Sequence, residues 1–197
     1  VSDRPGSQFV VCAQNHDQVG NRMVGERLSQ LTSFEGLKLA AATVLLAPAI
    51  PLLFMGEDYG EEAPFLYFIS HTDPNLVEAV RQGRKREFAD FHLNGEPPDA
   101  ASRDTFNRCI LNWDQRLQGH HGVLRQFYRQ LIHLRRSLPP LMNCDRTAQD
   151  VQHEDDQYWL QIRRWQGDDT VLMLMNWSQE PATIPEIPIG TWQKQLD

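Results

Sequence analysis

Two short apolar segments, each ending in a polar cluster, constrain the fold of this chain more than any other feature. The first segment is Ser7 to Ala13 and the second is Ile50 to Met55. Both have the composition of buried β-strands. Between them, apolar residues repeat with helical period from about Ser33 until Pro48 stops the helix. A strand, a crossover helix and a second strand predict a parallel pair.

The polar clusters follow directly after the two predicted strands. The first is Gln14 to Arg22 (QNHDQVGNR) and the second is Gly56 to Glu62 (GEDYGEE). In parallel α/β folds, functional residues lie at the carboxyl ends of the strands. Both clusters are therefore candidates for a site. Thr32 and Glu35 have capping-box spacing at the start of the intervening helix.

Two more helices are predicted further along the chain. Asp73 and Pro74 are an N-cap and a first-turn proline for a helix that runs towards Phe91. An amphipathic helix spans Gly122 to Ser137 and stops at Pro139. We expect its core side to consist of Leu124, Phe127, Tyr128, Leu131, Ile132 and Leu134.

Beyond about Asn143 the pattern changes to β. Apolar residues alternate with polar ones around Tyr158, and a turn at Gln166 to Asp169 leads into a second β-rich run. This pattern predicts a hairpin in a small antiparallel domain. We therefore expect one domain over residues 1–140 and another over residues 141–197.

Charge and composition exclude several classes of function. The 197 residues carry a formal net charge of -7, which argues against a nucleic-acid partner. The apolar stretch Leu39 to Met55 contains two prolines and is shorter than the ~20 residues of a membrane-spanning helix. Three cysteines without metal-ligand spacing fit a reducing compartment, so we expect a cytoplasmic protein. The chain begins at Val1 rather than Met, which predicts a piece of a longer protein.

The NHD sequence in the first cluster is the most informative group of side chains. The carboxylate of Asp17 lies beside the imidazole of His16 and the amide of Asn15. On a rigid strand end, these groups can hold sugar hydroxyls through charge-assisted hydrogen bonds. Gln18 is a further candidate contact. Arg22 either orients Asp17, lines the cleft or forms a structural ion pair.

The second cluster supplies weaker candidates. Glu57 and Tyr59 are plausible sugar contacts, because carboxylates and aromatic faces suit hydroxyl-rich rings. Four carboxylates follow the second strand, and we interpret them mainly as loop polarity, a helix start or the wall of a subsite; they are Glu57, Asp58, Glu61 and Glu62. We expect His120 and His121 to be surface residues, and no cofactor or metal is implied.

Three segments together resemble a known family. FVVCAQNHDQVGNRMVGERLS resembles the fourth conserved region of the α-amylase superfamily of glycoside hydrolases, in a form similar to the malto-oligosyltrehalose trehalohydrolase family. The resemblance continues through PLLFMGEDYGEEAPFLYFISHTDPNLVEAVRQGRKREF and DTFNRCILNWDQ. It covers most of the chain, and the later segments are more specific than the NHD motif alone.

The resemblance implies an α/β plus β architecture and a role for the NHD residues. The chain would contain the last strand–helix units of a (β/α)8 barrel, the seventh and eighth, followed by a partial C-terminal antiparallel β-domain. Asp17 matches the family's third, transition-state-stabilising carboxylate, and His16 matches a histidine that contacts the sugar at the cleaved position. The implied substrate is a malto-oligosaccharide or maltooligosyl trehalose, in trehalose biosynthesis.

One departure from the family limits what the chain can do alone. The family's nucleophile lies in an Arg-x-Asp context, which is absent from these 197 residues, and the acid/base Glu lies in an upstream region. With two of three catalytic carboxylates missing, we expect the chain alone to be inactive. We also expect it to associate with the missing N-terminal barrel portion or with itself. The alternatives are a non-catalytic sugar-binding or interaction module and part of a related amylase or branching enzyme.

Overall fold

The computed structural model describes residues 3–90, 96–185 and 187–197. The chain divides into two compact units, each built from separate stretches of sequence. The first comprises Val1–Val11, Lys38–Leu52 and Gln126–Asp197, and the second comprises Cys12–Leu37 and Leu53–Arg125. Each unit joins stretches that are close in space but distant in the sequence. The domain boundary expected near residue 140 therefore stays a prediction.

In the first unit, β1 (Val10–Val11) and β2 (Ile50–Pro51) form the predicted parallel pair. The strands are much shorter than we expected, and the prediction that they are buried is wrong. Val10 is 61% exposed and Ile50 is 45% exposed. Within the described residues no third strand pairs with β1 or β2. Their side chains therefore lack the covering layers that bury a larger parallel sheet.

The crossover between β1 and β2 contains α2 (Leu28–Leu31) and α3 (Phe34–Leu46). The α3 helix ends two residues before Pro48, as predicted. The predicted capping box is wrong, because Ser33 occupies the cap position: its Oγ accepts a hydrogen bond from the Gly36 N–H at 3.1 Å. Thr32 instead ends α2.

Two arginines satisfy the carbonyl groups at the end of α3. Arg135 donates to the carbonyls of Leu45 and Ala47 at 2.6 and 2.8 Å, and Arg164 donates to that of Leu46 at 2.9 Å. The last carbonyls of a helix have no partners within the helix, and cations are favoured there. Arg164 is fully buried, and this burial lowers the pKa of its guanidinium.

The β-rich region forms an antiparallel sheet in the order β3 (Gln149–Glu154), β4 (Trp159–Gln166) and β5 (Asp169–Asn176). The β4–β5 hairpin is confirmed at its predicted turn, where Gly167 has a φ of 59°. A two-residue hairpin turn needs such positive φ values, which glycine adopts without strain. The buried side chains of β4 and β5 are Trp159, Gln161, Arg164, Met173 and Met175.

The long amphipathic helix α6 (Gly119–Ser137) begins three residues before its predicted start and is followed by the short α7 (Pro139–Met142). Four of the expected core residues are buried: Leu124, Phe127, Tyr128 and Leu131. The prediction for Ile132 is wrong, since its side chain is 37% exposed. It lies about 100° around the helix from Leu131, which is the centre of the buried face. None of the described helices combines the length and apolarity needed to cross a membrane.

In the second unit, α4 (Pro74–Asp90) begins as predicted. The Asp73 Oδ1 accepts a hydrogen bond from the Asn75 N–H at 2.8 Å, which confirms the cap. The predicted end at Phe91 lies outside the described residues. This unit also contains α1 (His16–Gly20), α5 (Arg103–Arg108) and the α2 helix described above.

Candidate functional site

Asn15 anchors the turn that carries the NHD residues. Its Oδ1 accepts a hydrogen bond from the Gln18 N–H at 3.0 Å and so caps α1. Its Nδ2 donates to the Sγ of Cys12 at 3.7 Å. Asparagine is among the best N-cap residues because its side chain satisfies a helix N–H that has no other partner. Asn15 therefore fixes the backbone from which His16 and Asp17 project.

His16 and Asp17 form an exposed pair at the start of α1. The Nε2 of His16 lies 3.3 Å from the Oδ1 of Asp17. Their side chains are 72% and 74% exposed. An acceptor carboxylate and an imidazole that are both open to solvent can take hydroxyl donors and acceptors from a polar ligand. Both side chains of this pair are therefore accessible to a ligand.

Gln18 and Arg22 extend the exposed side of this segment. Gln18 is exposed, whereas Arg22 binds Glu26, with both Nε and Nη2 at 3.3 Å from its carboxylate oxygens. The structure shows an ion pair for Arg22, and the other two roles, orienting Asp17 and lining the cleft, stay predictions. Burial opposes ionisation of Glu26, but hydrogen bonds from the backbone and from Arg22 outweigh it and lower the pKa of this carboxyl.

The second polar cluster folds into a compact turn. Gly56 and Gly60, with φ of 79° and 69°, bracket the 3-10 helix Glu57–Tyr59. Both lie in the left-handed region that favours glycine. The carboxylate of Glu57 is only 4% exposed and accepts a hydrogen bond from the Phe54 N–H at 3.0 Å. Glu57 thus holds the turn against the segment that precedes it.

Tyr59 and Glu61 are buried together in this turn. The Tyr59 hydroxyl donates to Glu61 at 2.8 Å, and the same carboxylate accepts the N–H groups of Glu62, Ala63 and Asn112 at 2.7 to 2.9 Å. Burial raises the pKa of Tyr59, and its hydrogen bond to Glu61 raises it further. Burial alone would raise the pKa of Glu61, but the four hydrogen bonds lower it below its ordinary value.

Arg27 completes this buried network. Its side chain is 1% exposed, and it donates to the carbonyls of Ala63 at 2.6 Å and Met55 at 2.7 Å. The guanidinium carbon lies 5.2 Å from the centre of the Phe54 ring. Burial lowers the pKa of Arg27, while the negative charge of Glu61 opposes that change. The positive charge of Arg27 and the negative charge of Glu61 therefore offset each other inside the buried network.

The predicted site residues thus fall into two groups with different surroundings. His16, Asp17 and Gln18 are exposed and Asn15 is half-buried, whereas Glu57 and Tyr59 are buried and hydrogen-bonded within the chain. The sugar contacts predicted for Glu57 and Tyr59 stay predictions, and the geometry gives both residues structural contacts. Sequence reasoning missed Arg27, because an arginine in a polar run has no local signal that distinguishes a buried side chain from a solvated one.

Similarity to known proteins is strong but covers only part of their length. No family model matches the chain. Malto-oligosyltrehalose trehalohydrolase from Rhizobium sp. strain M-11 is 42% identical over 179 residues, which are 89% of this chain and 29% of that protein. The enzyme of the same name from Saccharolobus solfataricus is 43% identical over 163 residues, 83% of this chain and 26% of that protein. The enzyme of the same name from Mycobacterium tuberculosis is 36% identical over 182 residues, which are 92% of this chain and 31% of that protein. The chain spans less than a third of the length of these relatives.

Two solved structures also match most of this chain. A crystal structure of a Salmonella typhimurium protein, provisionally described as an alpha amylase, matches with a TM-score of 0.82 at 38% identity over 94% of this chain and 32% of that chain. Trehalose-6-phosphate hydrolase from Bacillus licheniformis matches with a TM-score of 0.52 at 18% identity, over 85% of this chain and 34% of that chain. The second match shows likeness of fold alone.

The relatives and the solved structure that match at 36% to 43% identity are proteins of the α-amylase family. Within that family, the chain is similar over most of its length to a segment of malto-oligosyltrehalose trehalohydrolases. The resemblance predicted from the three sequence segments is therefore confirmed.

Proposed function

We propose that this chain is the C-terminal part of a retaining glycoside hydrolase. The complete enzyme cleaves the α-1,4 bond next to the terminal trehalose unit of a maltooligosyl trehalose. The observation that carries this proposal is the exposed His16–Asp17 pair, held on a capped turn directly after β1. This pair lies in a chain that is 36% to 43% identical to trehalohydrolases.

The architecture supports a position at the end of a (β/α)8 barrel. In this proposal β1 is the seventh strand of the barrel, α3 belongs to the helical layer and β2 is the eighth strand. The parallel register of Val10 with Ile50 is that of neighbouring barrel strands. The exposed apolar side chains of both residues would be covered by the remaining strands and helices. The antiparallel strands β3 to β5 would then begin the C-terminal β-domain.

The chemistry assigned to Asp17 and His16 follows from charge and exposure. Asp17 accepts hydrogen bonds from two ring hydroxyls, which strengthen as the sugar distorts towards an oxocarbenium-like transition state. His16 holds the sugar at the cleaved position through its imidazole N–H. Asn15 and Gln18 border this subsite, and Arg22 fixes its edge through Glu26.

The chain alone does not supply the reacting carboxyl pair. Retaining hydrolysis needs a nucleophile and an acid/base about 5–5.5 Å apart across the scissile bond. The nucleophile's Arg-x-Asp context does not occur in the 197 residues. The remaining barrel portion is therefore the partner that completes the site, and the expected activity of the isolated chain is zero.

A chimeric enzyme tests this proposal. The chain replaces the matching segment of the Rhizobium relative, and trehalose release from maltooligosyl trehalose is measured. The chimera is expected to be active, and Asp17→Asn is expected to lower kcat by at least about 100-fold. Asp155 is a matched control, since its exposed carboxylate lies 3.1 Å from the Nδ1 of His153. Asp155→Asn leaves the rate unchanged. Equal rates for both variants in an active chimera would refute the role of Asp17.

The exposed apolar side chains of β1 and β2 favour a second candidate function. In this alternative the chain is a module that binds sugar or associates with another copy of itself. Sedimentation velocity of the isolated chain tests the self-association. A concentration-dependent dimer supports self-association, and a monodisperse monomer opposes it. Calorimetric binding of maltotetraose that is lost in Asp17→Asn supports a retained sugar site.

A further inference from the structure

Glu62, His120 and His121 converge at one point of the second unit. Their ligand atoms all lie within 4.8 Å of one another. The two imidazole rings are adjacent in sequence, yet their centres are only 4.0 Å apart. Consecutive residues of a helix normally project about 100° apart. The first turn of α6 thus presents both rings to the same place, opposite the turn that contains Glu62.

His121 has the surroundings of a fixed metal ligand. Our prediction that it lies at the surface is wrong, because it is only 7% exposed. Its Nδ1 lies 2.8 Å from the backbone carbonyl of Tyr59, which can only accept a hydrogen bond. The proton therefore resides on Nδ1, and Nε2 keeps a free lone pair. Histidines that bind metals almost always donate their other N–H to such a carbonyl or to a carboxylate.

Tyr59 makes this carbonyl a rigid partner. Its side chain is held by Glu61 inside the buried network, and its backbone lies in the 3-10 helix between two positive-φ glycines. The orientation of His121 is thereby set by the most tightly packed part of the turn. A preorganised ligand lowers the entropic cost of binding a metal ion.

Glu62 and His120 provide two further ligands that can adjust. The Nε2 of His120 lies 3.8 Å from the Oε1 of Glu62, and the side chains are 62% and 55% exposed. Ligand atoms around a tetrahedral Zn²⁺ lie ~3.3 Å apart, given metal–ligand distances near 2.0 Å. Small rotations of these two exposed side chains close the remaining gap.

A pocket beside the cluster leaves room for further ligands. It has a volume of about 140 Å³, and Glu62 and His120 line it together with Gly60 and Leu124. A Cβ added at Gly60 would lie 3.1 Å from the side chain of Leu124, so a larger residue at this position would crowd Leu124. Water or a small anion can reach the coordination positions that the three side chains leave free.

We propose that Glu62, His120 and His121 form a site for one divalent transition-metal ion of the Zn²⁺ class. Two imidazoles and one carboxylate are a ligand set that Zn²⁺ accepts with its remaining positions taken by water. The ion would join the loop after β2 to the first turn of α6. It would also bind the folded chain and not the unfolded one, so it would raise the melting temperature.

Titration of the metal-free chain with Zn²⁺ tests this site. The full 197-residue chain, without a polyhistidine tag and treated with EDTA, is titrated by calorimetry. The expected result is one ion per chain with micromolar or tighter affinity. Co²⁺ is then used as a spectroscopic probe. Visible d–d bands without a thiolate charge-transfer band are expected from nitrogen and oxygen ligands. A thiolate band would assign the metal to a cysteine and overturn the proposal.

Variants of the two exposed ligands keep the test independent of folding. His120→Ala and Glu62→Gln are each expected to weaken Zn²⁺ binding by more than roughly tenfold. His133→Ala is the matched control, because His133 is an exposed histidine of the same helix. It is expected to keep the affinity of the parent chain. Unchanged binding in both ligand variants, or no binding by the parent, contradicts the site. Neither result bears on the proposed hydrolase function, which the chimera tests separately.

Discussion

The hydroxyl of Tyr59 donates a hydrogen bond to Glu61 at 2.8 Å, and both side chains are 1% exposed. This pair organises the loop after β2, because Glu61 also receives three backbone N–H groups from two separate segments. Arg27 supplies the opposing charge and ties the same loop to its own segment. The buried network therefore stabilises the loop, whereas the side chains that a ligand can reach are those of His16 and Asp17.

Glu61→Gln is expected to destabilise the chain strongly. The amide removes the buried negative charge and places an NH2 group where an N–H donor already points. We expect the free energy of unfolding to fall by about 3 kcal/mol, typical of a broken buried network. Urea denaturation followed by circular dichroism measures the change. Glu62→Gln, studied in EDTA, changes an exposed neighbour and is expected to stay within about 0.5 kcal/mol of the parent. Equal effects of the two variants would show that the network contributes little.

Acid should weaken the chain partly through Glu61. Hydrogen bonds lower its pKa in the folded state below the ordinary value of 4.5. A carboxyl of this kind contributes stability that is fully present above its ordinary pKa and is lost as the pH falls through the folded pKa. The melting temperature is therefore expected to drop below pH 4.5, and less steeply in Glu61→Gln. Parallel curves for the parent and the variant between pH 2 and 6 would contradict this origin of the acid sensitivity.

Arg27→Lys tests whether the geometry of the guanidinium matters as well as its charge. Lysine keeps the positive charge but lacks the planar fork that reaches the carbonyls of Ala63 and Met55 together. We expect a loss of about 2 kcal/mol in unfolding free energy. Arg22→Lys is the control, since Arg22 lies at the surface beside Glu26 and is expected to change stability by less than about 0.5 kcal/mol. A similar loss in both variants would point to a general effect of replacing arginine.

The sequence predicted several caps, turns and strand pairings, but it did not predict which polar side chains are buried by contacts with distant residues. The cap at Asp73 and the β4–β5 hairpin depend on contacts within a few residues, and both are confirmed. The burial of Arg27 depends on the Met55 carbonyl, 28 positions away in the chain. Arg164 likewise depends on Leu46 at the end of α3. No periodicity in the sequence reports such pairings.

The predicted site residues likewise divide into a group that the sequence identifies and a group whose burial it does not predict. The NHD turn is recognisable in the sequence because its three residues are consecutive, whereas the cap that Asn15 forms on the following helix is seen only in the structure. For Glu57 and Tyr59 the residue types suggested sugar contacts, but their burial results from a turn between two positive-φ glycines that folds them inward. Glycine spacing predicts that a turn exists and does not predict which side chains it buries.

Asp17→Asn is expected to leave folding unchanged, in contrast to Glu61→Gln. The Asp17 carboxylate is 74% exposed, and its partner His16 is 72% exposed, so water screens their attraction. We expect the free energy of unfolding to change by less than about 0.5 kcal/mol. Urea denaturation of the isolated chain measures this directly, with Asp155→Asn as the control for an equally accessible carboxylate. A loss above about 1 kcal/mol at Asp17 alone would mean that the carboxylate has a structural role. The Asp17 carboxylate would then be part of the folded structure and not a group available to bind sugar. A loss of activity in the chimera could then not be attributed to a role of Asp17 in catalysis.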